Sequence, residues 1–214
     1  MSSLAEDVAA AQALVARTMA REGRKVIGVA GPPGAGKSTL AAALVTALNR
    51  DDPHQAALLP MDGFHLENEV LEPLGLLPFK GAPQTFDVGA FVALVSRLRD
   101  IGSDIAYPLF DRAADRTRPD AGLLAAGTPV VVVEGNYLLL RSGAWADLAP
   151  FFDATILIAP PVAELERRLV DRWLAHGLSP DQARARAQGN DLVNARQVLA
   201  ESGAADLVLG EGPP

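Results

Sequence analysis

Short continuous apolar runs alternate along the chain with longer segments in which apolar residues recur every three or four positions. The continuous runs predict strands, and those at 129–133 and 153–159 lack polar alternation, which is typical of strands buried on both faces of a parallel sheet. The predicted strands are 25–30, 56–59, 104–109, 129–133, 153–159 and 206–209. The predicted helices are 4–21, 37–48, 87–99, 162–176, 180–188 and 192–202.

Strands separated by helices predict an α/β fold with three layers, in which helices cover both faces of a mostly parallel, five-stranded sheet. Asp87 and Ser179 stand directly before helical segments, where their side chains can accept hydrogen bonds from free backbone N–H groups. Residues 60–84 have few periodic signals, which predicts a loop with some local helix on the substrate side of the sheet.

Composition narrows the functional classes. With 214 residues, 49% of them apolar, the chain is long enough to bury the core of one compact domain spanning 1–214. The lack of cysteine excludes disulfides, thiolate nucleophiles and Cys-ligated metals. A formal net charge of −7 argues against sequence-independent binding of nucleic acid. No apolar stretch approaches the roughly 18 residues of a membrane span, so we expect a cytoplasmic protein with no nucleic-acid or membrane partner.

The strongest chemical motif follows the first predicted strand and precedes a predicted helix. It fits the pattern G-x-x-x-x-G-K-[ST] and consists of Gly31, Pro32, Pro33, Gly34, Ala35, Gly36, Lys37 and Ser38, with Thr39 next. Glycines allow a tight turn that aims backbone N–H groups at phosphate oxygens, the lysine reaches the β- and γ-phosphates, and the serine hydroxyl coordinates Mg²⁺. The motif therefore predicts binding of a nucleoside triphosphate, with Mg²⁺ as the expected metal.

Switch GTPases, motor-like ATPases and small-molecule kinases share such a loop. A guanine-reading Asn-Lys-x-Asp motif is not in the sequence, because none of its three lysines follows an asparagine. The Leu-Ser-Gly-Gly signature of ABC-type ATPases is also missing. The small-molecule kinases remain favoured, and a nucleotide-hydrolysing switch or regulatory ATPase is the alternative from another class.

Two carboxylates end different predicted strands at the edge where the phosphate loop is expected, so both should face the triphosphate, its metal and the acceptor. We assign Asp62 to the acceptor hydroxyl, as general base or as the group that orients it. Glu134 is assigned with Ser38 to Mg²⁺, and Asp62 is a further candidate ligand. The structural alternatives are a turn residue before Gly63 for Asp62 and a strand-end cap for Glu134.

These residues, with several other segments, resemble a known protein family. Residues 26–140 resemble the phosphoribulokinase/uridine kinase group of P-loop kinases, most of all its pantothenate kinase branch. Within that group the chain is similar to bacterial proteins described as nucleoside/nucleotide kinase-like or fructose transport system kinases (fructokinase-like). The matching segments are 31–38, 61–66, 80–87, 107–111, 132–135 and 187–191. The resemblance implies a P-loop kinase domain that transfers the ATP γ-phosphoryl group to a hydroxyl of a small metabolite, with Mg²⁺.

The acceptor side has a set of polar candidates, and a sugar such as fructose is the favoured acceptor, with a nucleoside or pantothenate as alternatives. The candidates are His65, Asn68, Lys80, Tyr107, Asp111 and Arg112, together with Asp62 and Glu134. Each could equally be an ordinary polar loop residue. Trp145 and Trp173 are predicted to pack helices onto the sheet.

The resemblance also implies a helical lid over approximately 167–190, whose arginines close over the phosphates. Arg168 and Arg172 are four residues apart and share a helix face, so we assign both to the transferring phosphoryl group. The alternative is a solvated face paired with neighbouring acidic residues. Asn190, Asp191 and Asn194 either touch the nucleotide base or cap the last helix. We expect a monomer or homodimer.

Overall fold

The computed structural model describes residues 2–20 and 22–210, and a five-stranded sheet runs through its centre. The strands are β1 (Lys25–Ala30), β2 (Ala56–Pro60), β5 (Val130–Gly135), β6 (Ala154–Ile158) and β7 (Leu207–Leu209). Their order is β2-β5-β1-β6-β7, and every neighbouring pair is parallel. The predicted parallel sheet is confirmed. Every residue of β5 is buried, as its continuous apolar run indicated, whereas β6, for which the same was predicted, is fully buried only at alternate positions.

Helices flank this sheet close to the predicted positions. They are α1 (Leu4–Thr18), α2 (Lys37–Leu48), α3 (Asn68–Leu71), α4 (Val88–Arg97), α5 (Val162–Ala175), α6 (Pro180–Arg186) and α7 (Leu192–Glu201). Asp87 accepts a hydrogen bond from the Ala90 N–H, and Ser179 forms a capping box with Gln182, so both predicted caps are present. Arg21, where the first helix was predicted to end, lies outside the described residues. None of the described helices has the length and apolar content to cross a membrane.

The two faces of the sheet bury separate apolar clusters. Val26 and Ala30 of β1 point toward α4 and Trp145, whereas Ile27 and Val29 point toward α1, α2, α5 and α7. Successive residues of a strand point to opposite faces, so one short run of apolar residues supplies both cores. The three-layer α/β architecture is therefore confirmed.

Two features depart from the sequence expectations. The run at 104–109 does not join the main sheet, because β3 (Ile105–Asp111) pairs with β4 (Arg116–Leu124) as an antiparallel hairpin. No strand was predicted at β4, which is mostly exposed and polar. The predicted break between the last two helices is instead a π-helical turn, Ala187–Asp191, that connects α6 to α7.

Candidate active site

The loop between β1 and α2 has the backbone geometry of an anion-binding site. Gly34 and Gly36 have φ values of 79° and 95°, in the left-handed region that favours glycine. Gly36 directly precedes α2, whose first turn has no side-chain cap. Free N–H groups beside left-handed residues form a concavity that attracts anions, and the helix dipole adds positive potential. The loop therefore fits the phosphate groups of a nucleotide.

Two carboxylates lie at neighbouring strand ends beside this loop. Glu134 is the last residue but one of strand β5, is 5% exposed, and accepts a hydrogen bond at Oε2 from Ser38 Oγ at 3.2 Å. Asp62 follows β2 in the short 3₁₀ turn Met61–Phe64, and 22% of its side chain is exposed. Pro60 of β2 is paired with Glu134, so the parallel register brings both carboxylates to the same edge of the sheet.

These groups influence one another's ionisation. Burial lowers the pKa of Lys37, and the charges of Glu134 and Asp62 oppose that effect. Burial also raises the pKa of Glu134, and Lys37 opposes the rise. Charged groups that have lost part of their hydration gain most from a charged ligand placed among them. This electrostatic arrangement suits a site for phosphate and a divalent cation.

Ser38 and Glu134 supply the hard oxygen atoms that Mg²⁺ prefers. Within residues 2–20 and 22–210, no group of three His, Cys, Asp or Glu side chains could hold a metal by itself. That finding fits Mg²⁺, which commonly takes one or two protein ligands in phosphoryl-transfer sites and completes its shell with phosphate oxygens and water. The assignment of these two residues, and of Asp62, to the metal stays a prediction.

A cavity of about 690 Å³ extends from the phosphate loop past Asp62. Many of the predicted site residues line it: Pro33, Gly34, Gly36, Lys37, Ser38, Thr39, Asp62, His65, Lys80, Arg112, Arg168 and Arg172. Gly31 and Pro32 are buried at the base of the loop, and Ala35 faces a second cavity of about 280 Å³ on the other side of it. The fold thus brings the predicted donor side and much of the predicted acceptor side into one space.

His65 lies between two aromatic rings on the wall of the larger cavity. Its ring centroid is 4.1 Å from that of Phe86 and 4.5 Å from that of Phe110, and Nδ1 is 2.7 Å from the carbonyl oxygen of Asp62. Burial lowers the pKa of His65, although the carboxylate of Asp62 opposes the shift. The imidazole is therefore held neutral near pH 7, and its contact with the Asp62 backbone fixes the turn that carries the carboxylate.

The lowered pKa of His65 predicts a pH dependence of stability. Unfolded chains bind a proton at this residue near pH 6.5, whereas the folded protein resists it, so stability present above that pH is lost as the pH falls. In His65→Phe, which retains an aromatic ring in the stack, the melting temperature should fall less between pH 7 and pH 5 than in the unmodified protein. Thermal unfolding across that range tests this, with His54→Gln, at an exposed position, as the control. Parallel profiles for all three proteins would contradict it.

Lys80 and Asn68 belong to a closed network rather than presenting free donors to the cavity. The Lys80 ammonium donates to Asn68 Oδ1 at 2.7 Å, to the Asp115 carbonyl at 2.9 Å and to Asp115 Oδ1 at 3.1 Å. Asn68 donates in turn to Asp115 Oδ2. All three N–H groups of Lys80 are thereby used. The network anchors the loop after Asp62 to the turn of the β3–β4 hairpin, so it shapes the acceptor side.

Four predicted acceptor residues do not line the larger cavity: Asn68, Tyr107, Asp111 and Glu134. Their assignment to the acceptor stays a prediction, and two of them have structural partners. Tyr107 is buried, and its hydroxyl donates to the Leu58 carbonyl at 2.9 Å. Asp111 accepts hydrogen bonds from the N–H groups of Ala113 and Ala114, so it stabilises the hairpin turn. Arg112, the residue after Asp111, does reach the cavity, where its exposed side chain forms an ion pair with Asp62.

The arginines of α5 have different partners. Arg168 bonds to Glu164 at 2.8 Å and to the Ala35 carbonyl at 3.2 Å, so it is tied to the phosphate loop. Arg172, one turn later, lines the cavity and is close enough to oppose protonation of Lys37. Arg167 pairs with Glu164 and Asp171 on the outer surface, which is the solvated-face alternative.

Several cavity residues were not assigned to the site from the sequence. Trp145 packs in the core as predicted, whereas Trp173 packs against the core on one side and also lines the cavity. Asn136 lines it too, and its Oδ1 has no hydrogen-bond partner among the described residues. Arg186 completes this wall. The sequence shows a tryptophan followed by several arginines, but nothing in that pattern indicates that they line one cavity, because only the fold brings these side chains together.

The chain is similar to known proteins in sequence and in structure. The family model "Methylmalonyl Co-A mutase-associated GTPase MeaB" matches residues 2–64, less than a third of the chain, a segment that contains the phosphate loop. The Escherichia coli K12 "Uncharacterized protein YggC" is 40% identical over 90% of this chain and 80% of its own. The Schizosaccharomyces pombe "Putative uridine kinase C227.14" is 34% identical, with 87% of this chain and 83% of that protein covered.

A solved structure is similar to this chain in both fold and sequence. The "putative fructose transport system kinase" from Silicibacter sp. TM1040 superposes with a TM-score of 0.89 at 45% identity, covering 97% of this chain and 99% of the other. Pantothenate kinases also match, and that of Leifsonia xyli is 31% identical over 70% of this chain but only 47% of its own length. The chain therefore spans about half the length of the pantothenate kinases to which it is similar.

Proposed function

Since the chain belongs to the P-loop kinase group that contains uridine kinase and pantothenate kinase, and is thus a phosphotransferase acting on a hydroxyl, we propose that it uses Mg²⁺-ATP to phosphorylate a sugar such as fructose. The observation that carries this proposal is the shared cavity: Lys37 and Ser38 lie on one part of its wall and Asp62 on another. A triphosphate in the glycine loop would present its outermost phosphorus to a hydroxyl held at Asp62.

The proposed chemistry assigns a step to each residue. The acceptor oxygen forms a bond to the γ-phosphorus, the bond from that phosphorus to the β–γ bridging oxygen breaks, and the hydroxyl proton passes to the Asp62 carboxylate. Lys37 and Arg172 stabilise charge on the transferring group, and Arg168 braces the loop through the Ala35 carbonyl. Bound Mg²⁺ would neutralise phosphate charge, with Ser38 and Glu134 as its protein ligands.

The second cavity is the proposed place for the nucleotide base. It measures about 280 Å³ and shares Gly36, Thr39 and Arg168 with the larger cavity, so a nucleotide could extend from one into the other around the loop. Leu40, Ile158 and Pro160 give it apolar walls, which suit a flat aromatic base.

We also propose that 1–214 is one P-loop kinase domain with a lid over 167–190. Gly177, with φ 85°, lies at the turn between α5 and α6, where a change of backbone direction meets little hindrance. The expectation that the protein is a monomer or a homodimer stays a prediction, and so does its cytoplasmic location.

A second candidate function is nucleotide hydrolysis without an acceptor, as in a switch protein. The match of residues 2–64 to a GTPase family model favours it. Asp62 on the cavity wall and the space beyond it favour the kinase, because a hydrolysing switch has no use for an acceptor cavity.

ADP release in the presence of Mg²⁺-ATP distinguishes the two functions. Fructose, other sugars, uridine and pantothenate would each be added, with Lys37→Ala protein as the blank for contaminating activity. We expect at least one acceptor to raise ADP release about tenfold or more above the rate without acceptor. An equal rate with and without every acceptor would favour hydrolysis and contradict the kinase proposal, whereas a response to uridine or pantothenate would replace the sugar.

A further inference from the structure

Asn136 stands at the centre of the sheet edge that forms the site. It directly follows Gly135, the last residue of β5, and β5 lies between β1 and β2 in the sheet. The phosphate loop continues from β1, and the turn that holds Asp62 continues from β2. Ala30, the last residue of β1, pairs with Gly135, so Asn136 comes where the neighbouring segments leave the sheet. It lines the larger cavity between the proposed donor and acceptor sides.

The side chain of Asn136 contacts the acceptor side through Tyr137. Tyr137 is fully buried, and its hydroxyl donates to the carbonyl oxygen of Gly81, which also lines the cavity. Burial raises the pKa of Tyr137, and a hydrogen bond from the Asn136 side chain opposes that rise, so Asn136 is the donor in this contact. Only the amide nitrogen of Asn136 can donate. Nδ2 therefore faces Tyr137, and Oδ1 points away from it.

Oδ1 of Asn136 is a buried acceptor without a hydrogen-bond partner. Among residues 2–20 and 22–210, the one other buried side-chain atom in this condition is Ser202 Oγ, which does not line the cavity. Leaving a buried polar atom unpaired costs stability, and nearly all such atoms are paired in native proteins. The last torsion of asparagine has a broad energy minimum, so a small rotation brings Oδ1 to the cavity surface. An unpaired acceptor at this place indicates a ligand that donates a hydrogen bond.

The acceptor substrate is the ligand whose chemistry fits this oxygen. Phosphate groups of the nucleotide offer acceptor oxygens, so they do not match another acceptor. Other polar groups on this side have partners, because the Lys80 ammonium donates three hydrogen bonds and Asn194 Nδ2 donates to Asn190 Oδ1 at 3.2 Å. A hydroxyl group can donate to an amide oxygen. The reacting hydroxyl gives its proton to Asp62 in the proposed mechanism, so a different hydroxyl has to be the donor here.

We propose that Asn136 is a specificity-determining residue, whose Oδ1 accepts a hydrogen bond from a second hydroxyl of the acceptor while Asp62 holds the reacting one. The inference rests on the proposed kinase function and narrows its substrate class to acceptors with at least two hydroxyl groups. A ligand held at two points has a defined orientation, which selects the hydroxyl that reaches the phosphorus. An acceptor without the second hydroxyl leaves the amide oxygen unpaired and is bound more weakly.

Acceptors that each lack one hydroxyl test the proposal. Whichever of fructose, other sugars, uridine and pantothenate gives the highest kcat/KM for ADP release would be compared with its single-deoxy analogues. Besides the analogue that lacks the reacting hydroxyl, one analogue should have a kcat/KM roughly 10- to 100-fold below the parent. In Asn136→Ala the parent should fall by a similar factor, the same analogue should then differ from it by less than about threefold, and KM for ATP should stay within about twofold.

Thermal stability gives a second readout that does not depend on the acceptor. Asn136→Leu removes the unpaired oxygen at similar size, so its melting temperature should exceed that of the unmodified protein or stay within about 2 °C of it. Asn49→Leu is the matched control, because both amide atoms of Asn49 are bonded to the backbone of Ala56, at the opposite end of β2 from the cavity. It should melt roughly 4–8 °C lower but keep both KM values, whereas Asn136→Leu should show the kinetic loss of Asn136→Ala.

The outcomes separate this inference from the kinase function. Deoxy analogues that all match the parent, an unchanged acceptor KM in both Asn136 variants, or an Asn136→Leu protein that melts as low as Asn49→Leu would each overturn it and leave the kinase in place. A higher Mg²⁺ requirement without loss of acceptor affinity would also overturn it, by assigning Oδ1 to a metal-bound water. If no acceptor raised ADP release, the proposed function would fall, and this inference with it.

Two further measurements separate recognition from damage to the fold. Circular dichroism of each variant shows whether it folds. Asn136→Asp keeps an oxygen that can accept the hydrogen bond, so it should recover part of the preference for the parent acceptor over the deoxy analogue. An Asn136→Asp protein with no more preference than Asn136→Ala would contradict the role of Oδ1.

Discussion

Asp62→Asn should lower kcat for phosphoryl transfer about a thousandfold, within the range of roughly 10²–10⁴ for a general base, while the Kd for ATP stays within about twofold. The amide keeps the size of the side chain but cannot take the acceptor proton. Asp62 belongs to the turn after β2 and is not part of the loop that cradles phosphate, and its partner in the cavity is Arg112. The loss should therefore appear in turnover and not in nucleotide binding.

Two measurements make this prediction specific. ADP release with the best acceptor gives kcat, and calorimetric titration with ATP gives Kd. Asp104→Asn is the matched control, because Asp104 Oδ1 accepts a hydrogen bond from the Ala126 N–H far along the hairpin and the amide oxygen can do the same. Turnover of Asp62→Asn within tenfold of the unmodified protein would remove Asp62 as the proton acceptor. A parallel loss of ATP affinity would instead assign Asp62 to nucleotide binding.

The parts of this protein that could be predicted from its sequence are those whose signal is local. The valines of β5 and the loop ending in Lys37 and Ser38 each lie within a few consecutive residues, and burial of β5 on both faces follows from the lack of polar alternation. The positions of Asp62 and Glu134 also followed, because the ends of parallel strands meet at one edge.

The hairpin was harder to predict because long-range contacts hold it. Strand β4 contains Pro119 and Asp120, residues that are rare in strands, and it is stable only as a partner of β3. A Cβ on Gly122 would lie 2.2 Å from the Tyr107 ring, so that ring occupies the space above this glycine. Nothing near Tyr107 in the sequence reveals that its ring packs in the core.

The cavity wall that includes Trp173 and Arg186 was missed for a similar reason. In the sequence these residues belong to separate helices, and the fold, with its π-helical turn after Arg186, brings them to one cavity. Such turns are frequent at functional sites, but their extra residue per turn leaves no pattern that differs from an ordinary helix. The sequence could identify the phosphate side of the site, therefore, more fully than the acceptor side.

Each of the two carboxylates is followed by a glycine whose missing side chain makes room for another element. A Cβ on Gly63 would lie 2.0 Å from the Pro108 carbonyl oxygen of β3, and one on Gly135 would lie 2.6 Å from the Cβ of Met61. Met61 directly precedes Asp62, so the space beside the glycine that follows Glu134 is filled by the chain neighbour of the other carboxylate. The distance between the two acidic groups therefore depends on close packing of backbone as well as on the side chains themselves.

Gly63→Ala should consequently damage both stability and catalysis. The contact is with backbone, which cannot rotate away, so we expect a loss of about 3 kcal/mol, at the upper end of the usual range for overpacking, and a melting temperature lower by roughly 6–12 °C. A shift of Asp62 by about 1 Å should reduce kcat roughly a hundredfold. Gly89→Ala is the control, because its nearest atom, Asp87 Oδ1, is 3.8 Å away and alanine favours the helix. A Gly63→Ala protein that melts and turns over like Gly89→Ala would show that β3 does not position the catalytic turn.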